Sequence, residues 1–183
     1  MESLQGNLLV ASAQLLDPNF SQTVLLVVEH NDDGALGLIL NRPTVTTIDQ
    51  AWKQVSNTPC PRDESLHHGG PCEGPLMVVH GYDAAAQIEV KAGIYFSAEQ
   101  DDLETMVATD DVPVKFFVGC AGWASGQLEQ EMKTGSWLTA SANAEHVFCE
   151  SDDQWSQVTK EIARQMFYPN LDPRLIPKDP SMN

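Results

Sequence analysis

The stretch TVLLVVEHNDDGALGLILNRPT, residues 23–44, decides the fold class. Two apolar runs, VLLVV and ALGLIL, flank Asn31-Asp32-Asp33-Gly34. Asn and Asp favour tight turns by bonding their own backbone, and Gly does so by taking positive φ. Short apolar runs joined by such a turn read as a β-hairpin. The apolar positions are successive rather than alternate, so both faces of this hairpin are expected to be covered.

Working outward, NLLVASA reads as a strand before a turn at Asp17-Pro18-Asn19. Beyond the hairpin, TTIDQAWKQVS starts a helix, with Thr47 as N-cap and Gln50 completing a capping box. LMVVH and QIEVKAGIYF read as two more strands. SAEQDDLETMVAT repeats the helix-start grammar with Ser97 and Gln100, and places Leu103, Met106 and Val107 on a buried face. VKFFVG reads as a strand, GQLEQEMKTG as a short helix stopped by Gly135, and WLTA and HVFC as brief strands. A last helix from Ser151 to about Phe167 aligns Trp155, Val158, Ile162 and Met166. Prolines at 169, 173, 177 and 180 set a tail, 169–183, apart from a single domain over 1–168. Strands arriving in adjacent groups argue for an α+β domain with a largely antiparallel or mixed sheet, and against a doubly wound nucleotide fold.

Composition narrows the partners. With 26 acidic against 10 basic residues, the formal net charge is −16. Phosphate backbones and anionic lipid surfaces are attracted by Lys and Arg, so neither nucleic acid nor membrane is expected as a partner. The N-terminus lacks a basic region ahead of its apolar residues, and the apolar runs are too short to cross a bilayer. Four cysteines are too sparse for a disulfide scaffold in 183 residues, so a cytoplasmic protein with free thiols is expected.

Three groups of residues invite chemistry. CPRDESLHHGGPC, residues 60–72, holds two cysteines and two histidines, but only His68 and Cys72 are spaced as a ligand pair. Adjacent histidines diverge if the segment is extended, so a surface loop turning at Gly69-Gly70 is preferred to a metal site. Several apolar strands end in polar residues: Glu29-His30-Asn31, Asn41-Arg42-Pro43, His80 and Gly119-Cys120. If those ends converge, they form a pocket in which a Cys120–His pair supplies nucleophile and base. Finally, GCAGWASGQLEQE, residues 119–131, reads as a glycine-rich turn between strand and helix. It lacks the lysine of a phosphate-binding loop, and Glu129 would occupy the helix N-terminus that a phosphate needs.

The blocks LLVASAQLLDPNFSQTVLLVVEHNDDGALGLILNRPT, HHGGPCEGPLMVVH and GCAGWASGQLEQE followed by SWL together resemble the YqgE/AlgH family of uncharacterised bacterial proteins. The resemblance implies a cytosolic α+β domain whose sheet bifurcates and folds into a pseudo-barrel with flanking helices. It brings no catalytic mechanism and no cofactor; one branch is labelled a regulator of alginate production. The family usually has an apolar residue where Cys72 stands and a tyrosine where Cys120 stands, so chemistry needing either thiol would be peculiar to this chain. His30, Asn31, Asn41, Arg42, Pro43, Gly69, Gly70, His80, Trp123, Gly126, Gln127 and Glu129 follow the family pattern.

The favoured expectation is a regulatory or interaction module without catalysis, cofactor or metal. It would bind a protein or small ligand through Asn31, Asn41, Arg42, His80, Trp123, Gln127 and Glu129. The alternative is a hydrolase or transferase using His30 or His80 as general base, with Arg42 holding an anionic group. A third is a transcriptional regulator that does not itself bind DNA. The oligomeric state is open.

Overall fold

A computed structural model describes residues 3–167; the proline-rich tail, 169–183, lies outside the described residues. Ten strands are arranged around one long member. In chain order they are β1 (Asn7–Ala11), β2 (Val24–Asn31), β3 (Gly34–Ile39), β4 (Pro43–Thr47), β5 (Ser65–His68), β6 (Cys72–His80), β7 (Ile88–Lys91), β8 (Ile94–Ser97), β9 (Val114–Ala124) and β10 (Trp137–Ser141). The helices are α1 (Ile48–Val55), α2 (Gln100–Ala108), α3 (Gln127–Lys133), α4 (Ala144–Phe148) and α5 (Gln154–Phe167).

The sheet runs β10-β1-β2-β3-β9-β6-β8-β7 and forks on β9. Its C-terminal part, Ala121–Ala124, pairs antiparallel with β3. Its N-terminal part pairs antiparallel with β6 and, across its other edge at Phe117 and Val118, parallel with β5. β4 extends this side branch by pairing with β5. The main path curls until β7 packs against β2, giving the bifurcated, largely antiparallel half-barrel and the α+β class expected from the sequence.

Glycine permits the fork. A Cβ on Gly69 would lie 2.2 Å from the Gly119 carbonyl oxygen, and one on Gly70 would lie 2.3 Å from the Cys120 carbonyl carbon. No side chain fits where two backbones meet so closely. The Gly-Gly-Pro and Gly-Cys-Ala-Gly motifs are therefore two halves of one junction.

The decisive hairpin behaves as its pattern predicts. Val24, Leu26 and Val28 face the barrel interior with Leu8, Val10, Met77 and Phe117, and α5 covers that interior with Val158 and Ile162. Leu25 and Val27 face outward beneath Leu128 of α3 and Trp137. A third cluster joins Val78, Phe116 and Leu66 to Trp52 of α1 and to Leu103, Met106 and Val107 of α2. Each fully buried aliphatic side chain stabilises the fold by about 1.5–3 kcal/mol, which accounts for the unbroken apolar run from Val24 to Val28.

Several local expectations need correction. QIEVKAGIYF is two strands, β7 and β8, turning at Gly93 with φ +78°. HVFC is mostly helix α4, because the Asn143 side chain caps it by accepting from the His146 N–H at 2.8 Å. The α2 cap is Glu99, since Ser97 still belongs to β8 and donates to Asp102 at 2.6 Å. Part of the presumed surface loop 60–72 is β5, with Leu66 and His67 buried. The supposed glycine-rich turn at 119–124 continues β9 as strand. On α5, Val158 and Ile162 are buried as expected, but Met166 is 70% exposed. The capping box at Thr47 is present, with Gln50 accepting from the Thr47 N–H at 3.3 Å.

Candidate functional site

Two polar regions lie at opposite ends of β9. At its C-terminal end, Trp123 pairs through Ala35 with His30, because β3 lies between β9 and β2. His30 is buried and fully engaged. Its Nδ1 accepts from the Leu4 N–H at 2.9 Å, which leaves the proton on Nε2 to be donated to Glu129 at 2.9 Å. Glu129, in the first turn of α3, is held below the usual carboxylate range by its own backbone N–H and then by His30. Trp123 and Trp137 both donate to Glu131 Oε2, at 3.0 and 2.9 Å, and their rings meet edge-on with centroids 6.2 Å apart. Gln127 bridges the Ala124 N–H and Glu131.

Beside this network lies an open depression of about 390 Å³ lined by Glu29, Asn31, Asp33, Gly34, Ala35, Leu36 and Trp123. Asn31 takes part in the rim, donating to Glu29 and accepting from the Asp33 N–H at 2.8 Å.

The residues proposed for an enzyme pocket are dispersed. His80 pairs with Val114 at the start of β9 and His30 lies beside Trp123, nine residues further on. That is about 30 Å of strand contour. His80 is fully buried; its Nδ1 accepts from the Tyr82 N–H at 3.2 Å, its ring stacks on Tyr95, and burial pushes its pKa down. Arg42 donates to the carbonyls of Pro18 and Ser21, and Asn41 fastens the same loop through the Val24 N–H and the Gln22 carbonyl. Thus Arg42 and Asn41 meet each other on one loop, His30, Trp123, Gln127 and Glu129 meet at α3, and His80 stands apart.

The thiols also have definite places. Cys72 and Cys120 are directly opposite on β6 and β9. Burial, then the neighbouring Cys72, raises the Cys120 thiol, the reverse of what an activated nucleophile needs. His68 and Cys72 border another depression, with Gly70, Pro71 and Val118. Among the described residues no group of three or more His, Cys, Asp or Glu is placed to hold a metal.

At the N-terminal end of β9 the sequence reading missed a cluster. Lys115, only 2% exposed, donates from Nζ to the Cys149 carbonyl at 2.8 Å and the Leu40 carbonyl at 3.4 Å. Glu150 reaches over it, Oε1 standing 3.3 Å from Nζ, while Oε2 stands 3.9 Å from His67 Nε2. Burial, aided by the Lys115 charge, lowers the His67 pKa to about 4, and burial also lowers that of Lys115. The signal was a lysine inside the apolar run VKFFV, a residue type almost never buried without a partner.

The fold and these two polar ends define an α+β half-barrel in which His30 and Arg42 are bonded within the fold. Comparison with known proteins agrees on the fold. The AlgH-like family model matches residues 8–166. A UPF0301 protein of Chlorobaculum tepidum is 38% identical over 97% of this chain and 95% of its own, and one from Xanthomonas campestris is 35% identical over 90% and 92%. The solution structure of the AlgH protein from Pseudomonas aeruginosa superposes with a TM-score of 0.72 at 28% identity, over 93% of this chain and 95% of that one. Protein DIP2367 of Corynebacterium diphtheriae gives 0.70 at 25% identity, over 88% and 87%. The chain belongs to the AlgH-like, UPF0301 family. No helix among its described residues is long and apolar enough to cross a membrane.

Proposed function

We propose that this protein is a regulatory interaction module that docks a basic segment of a partner protein in the depression beside Trp123. One observation carries the reading: the depression is lined in part by Ala35 and Leu36, Glu29 and Asp33 stand exposed beside them, and no described residue lining it is basic. Such a surface favours a Lys- or Arg-bearing side chain, whose aliphatic stem lies on the apolar wall while its charge meets Glu29 and Asp33. The rigid backing of α3, fixed by His30–Glu129 and the shared Glu131, keeps this face shaped before binding. The net charge of −16 supports a basic protein partner over DNA.

The test is affinity capture from bacterial extract with the wild-type chain and with a Glu29→Lys/Asp33→Lys variant, followed by peptide titration of each captured partner's basic segments. Partners held by the wild type and released both by the variant and by raised salt support the reading. Identical capture profiles for the two proteins would sink it.

A further inference from the structure

The Lys115 end of β9 carries a separate site. A small cavity of about 140 Å³ opens there between the barrel mouth and the loop joining α4 to α5. Leu40, Pro43, His67, Cys149, Glu150 and Asp152 contribute to its wall. Lys115 lies behind that wall, donating to the carbonyls of two of its residues, Leu40 and Cys149. We propose that this cavity binds a small monocarboxylate, and that the Glu150 side chain is a tethered occupant which the ligand displaces.

The geometry of Glu150 carries the argument. Its two oxygens face different groups, Oε1 standing 3.3 Å from Lys115 Nζ and Oε2 standing 3.9 Å from His67 Nε2, beyond hydrogen-bond reach. A carboxylate free of the Glu150 tether would sit closer and bring one oxygen within reach of each group. Both hosts are built into the fold, at 2% and 3% exposure, whereas the Glu150 side chain is 66% exposed and dips in from solvent. A buried ammonium needs an anion close by. Here that anion sits on a largely exposed side chain, so another can take its place with little loss of packing. His67 retains a second demand: its Nδ1 is buried without a hydrogen-bond partner among the described residues.

Size and charge narrow the ligand class. At about 30 Å³ per water-sized group, the cavity takes roughly five such groups, between the sizes of acetate and pyruvate. Leu40 and Pro43 offer apolar wall for a short carbon chain. Asp152 stands at the rim and one lysine is the sole cation described there, so a monoanion is preferred to a phosphate dianion. The tethered Glu150 competes at an effective concentration in the millimolar range, which makes wild-type binding weak and regulated by local occupancy.

The experiment titrates the full chain with sodium acetate, sodium pyruvate and sodium phosphate, at ionic strength held constant with chloride, and follows backbone amide shifts. Wild type and Glu150→Gln are compared. The surface substitution is expected to tighten acetate and pyruvate binding at least tenfold, with shifts centred on Leu40, His67 and Cys149–Asp152. Adding Lys115→Gln to that variant should abolish binding; if the double variant fails to fold, Asp152→Asn replaces it and should tighten binding further. Equal or weaker affinity in Glu150→Gln, shifts elsewhere, or phosphate bound more tightly than acetate would overturn the proposal. None of these outcomes touches the depression beside Trp123, whose test is independent.

Discussion

The two ends of β9 hold similar groups in opposite condition. Around Trp123 both ring nitrogens of His30 are bonded, both indole N–H groups donate to Glu131, and Gln127 is engaged at its oxygen and nitrogen. Around Lys115 the His67 Nδ1 has no partner among the described residues, and nearby on the same half of the sheet the His80 Nε2 also has none. A completed network resists change and fixes geometry, whereas an incomplete one is held at a cost by the rest of the fold. The contrast separates a polar region that fastens structure from one that is available to a ligand.

Three measurements sharpen or break that contrast. The largest effect is expected from Trp123→Ala, which removes a buried indole from the Phe20–Trp123–Trp137 cluster and should cost about 3–5 kcal/mol in urea unfolding. His30→Ala should follow at about 2–3 kcal/mol, because it strands Glu129 and the Leu4 N–H together. A loss near zero at His30 would mean the completed network fastens nothing.

At the other end, His67→Leu should change stability by less than about 1 kcal/mol at pH 7, since it deletes a polar group already short of a partner. Its effect should depend on pH with a definite sign. The His67 pKa is lowered to about 4 in the folded chain, so between about 6.5 and 4 the unfolded chain binds more protons. That contribution is present above 6.5 and is lost as pH falls toward 4; His80, also lowered by burial, acts in the same direction. Denaturation at pH 7 and pH 5 should therefore show the variant gaining on the wild type in acid. A constant difference at the two pH values would contradict it.

How much of this was legible in the sequence depends on where each signal resides. The β2–β3 hairpin was readable because its apolar runs and its turn are local. The strands β4 and β5, PTVTT and SLHH, carry little apolar pattern and form because β9 supplies an edge to pair with. HVFC reads as a strand by residue type, yet a single Asn143 cap turns it into helix. The Lys115 cluster draws on residues 67, 115 and 150, three segments that only the fork in the sheet brings together. Polar strand ends were visible one by one, but their dispersal between two ends of β9 is a property of topology.

The central position of β9 also orders events in time. Gly34 finds its partner in Ala124, ninety residues later, and β5 and β6 wait for the same strand. Contacts so distant in sequence form late, because the intervening chain must first lose its freedom. During synthesis from the N-terminus, the β2–β3 hairpin emerges with one edge of β3 open and both faces still uncovered. Until residues 121–124 leave the ribosome, that edge is open to wrong pairing, as is the far edge of β1 until residues 137–141 follow. Helper proteins that shield nascent strands would act on this chain during that interval.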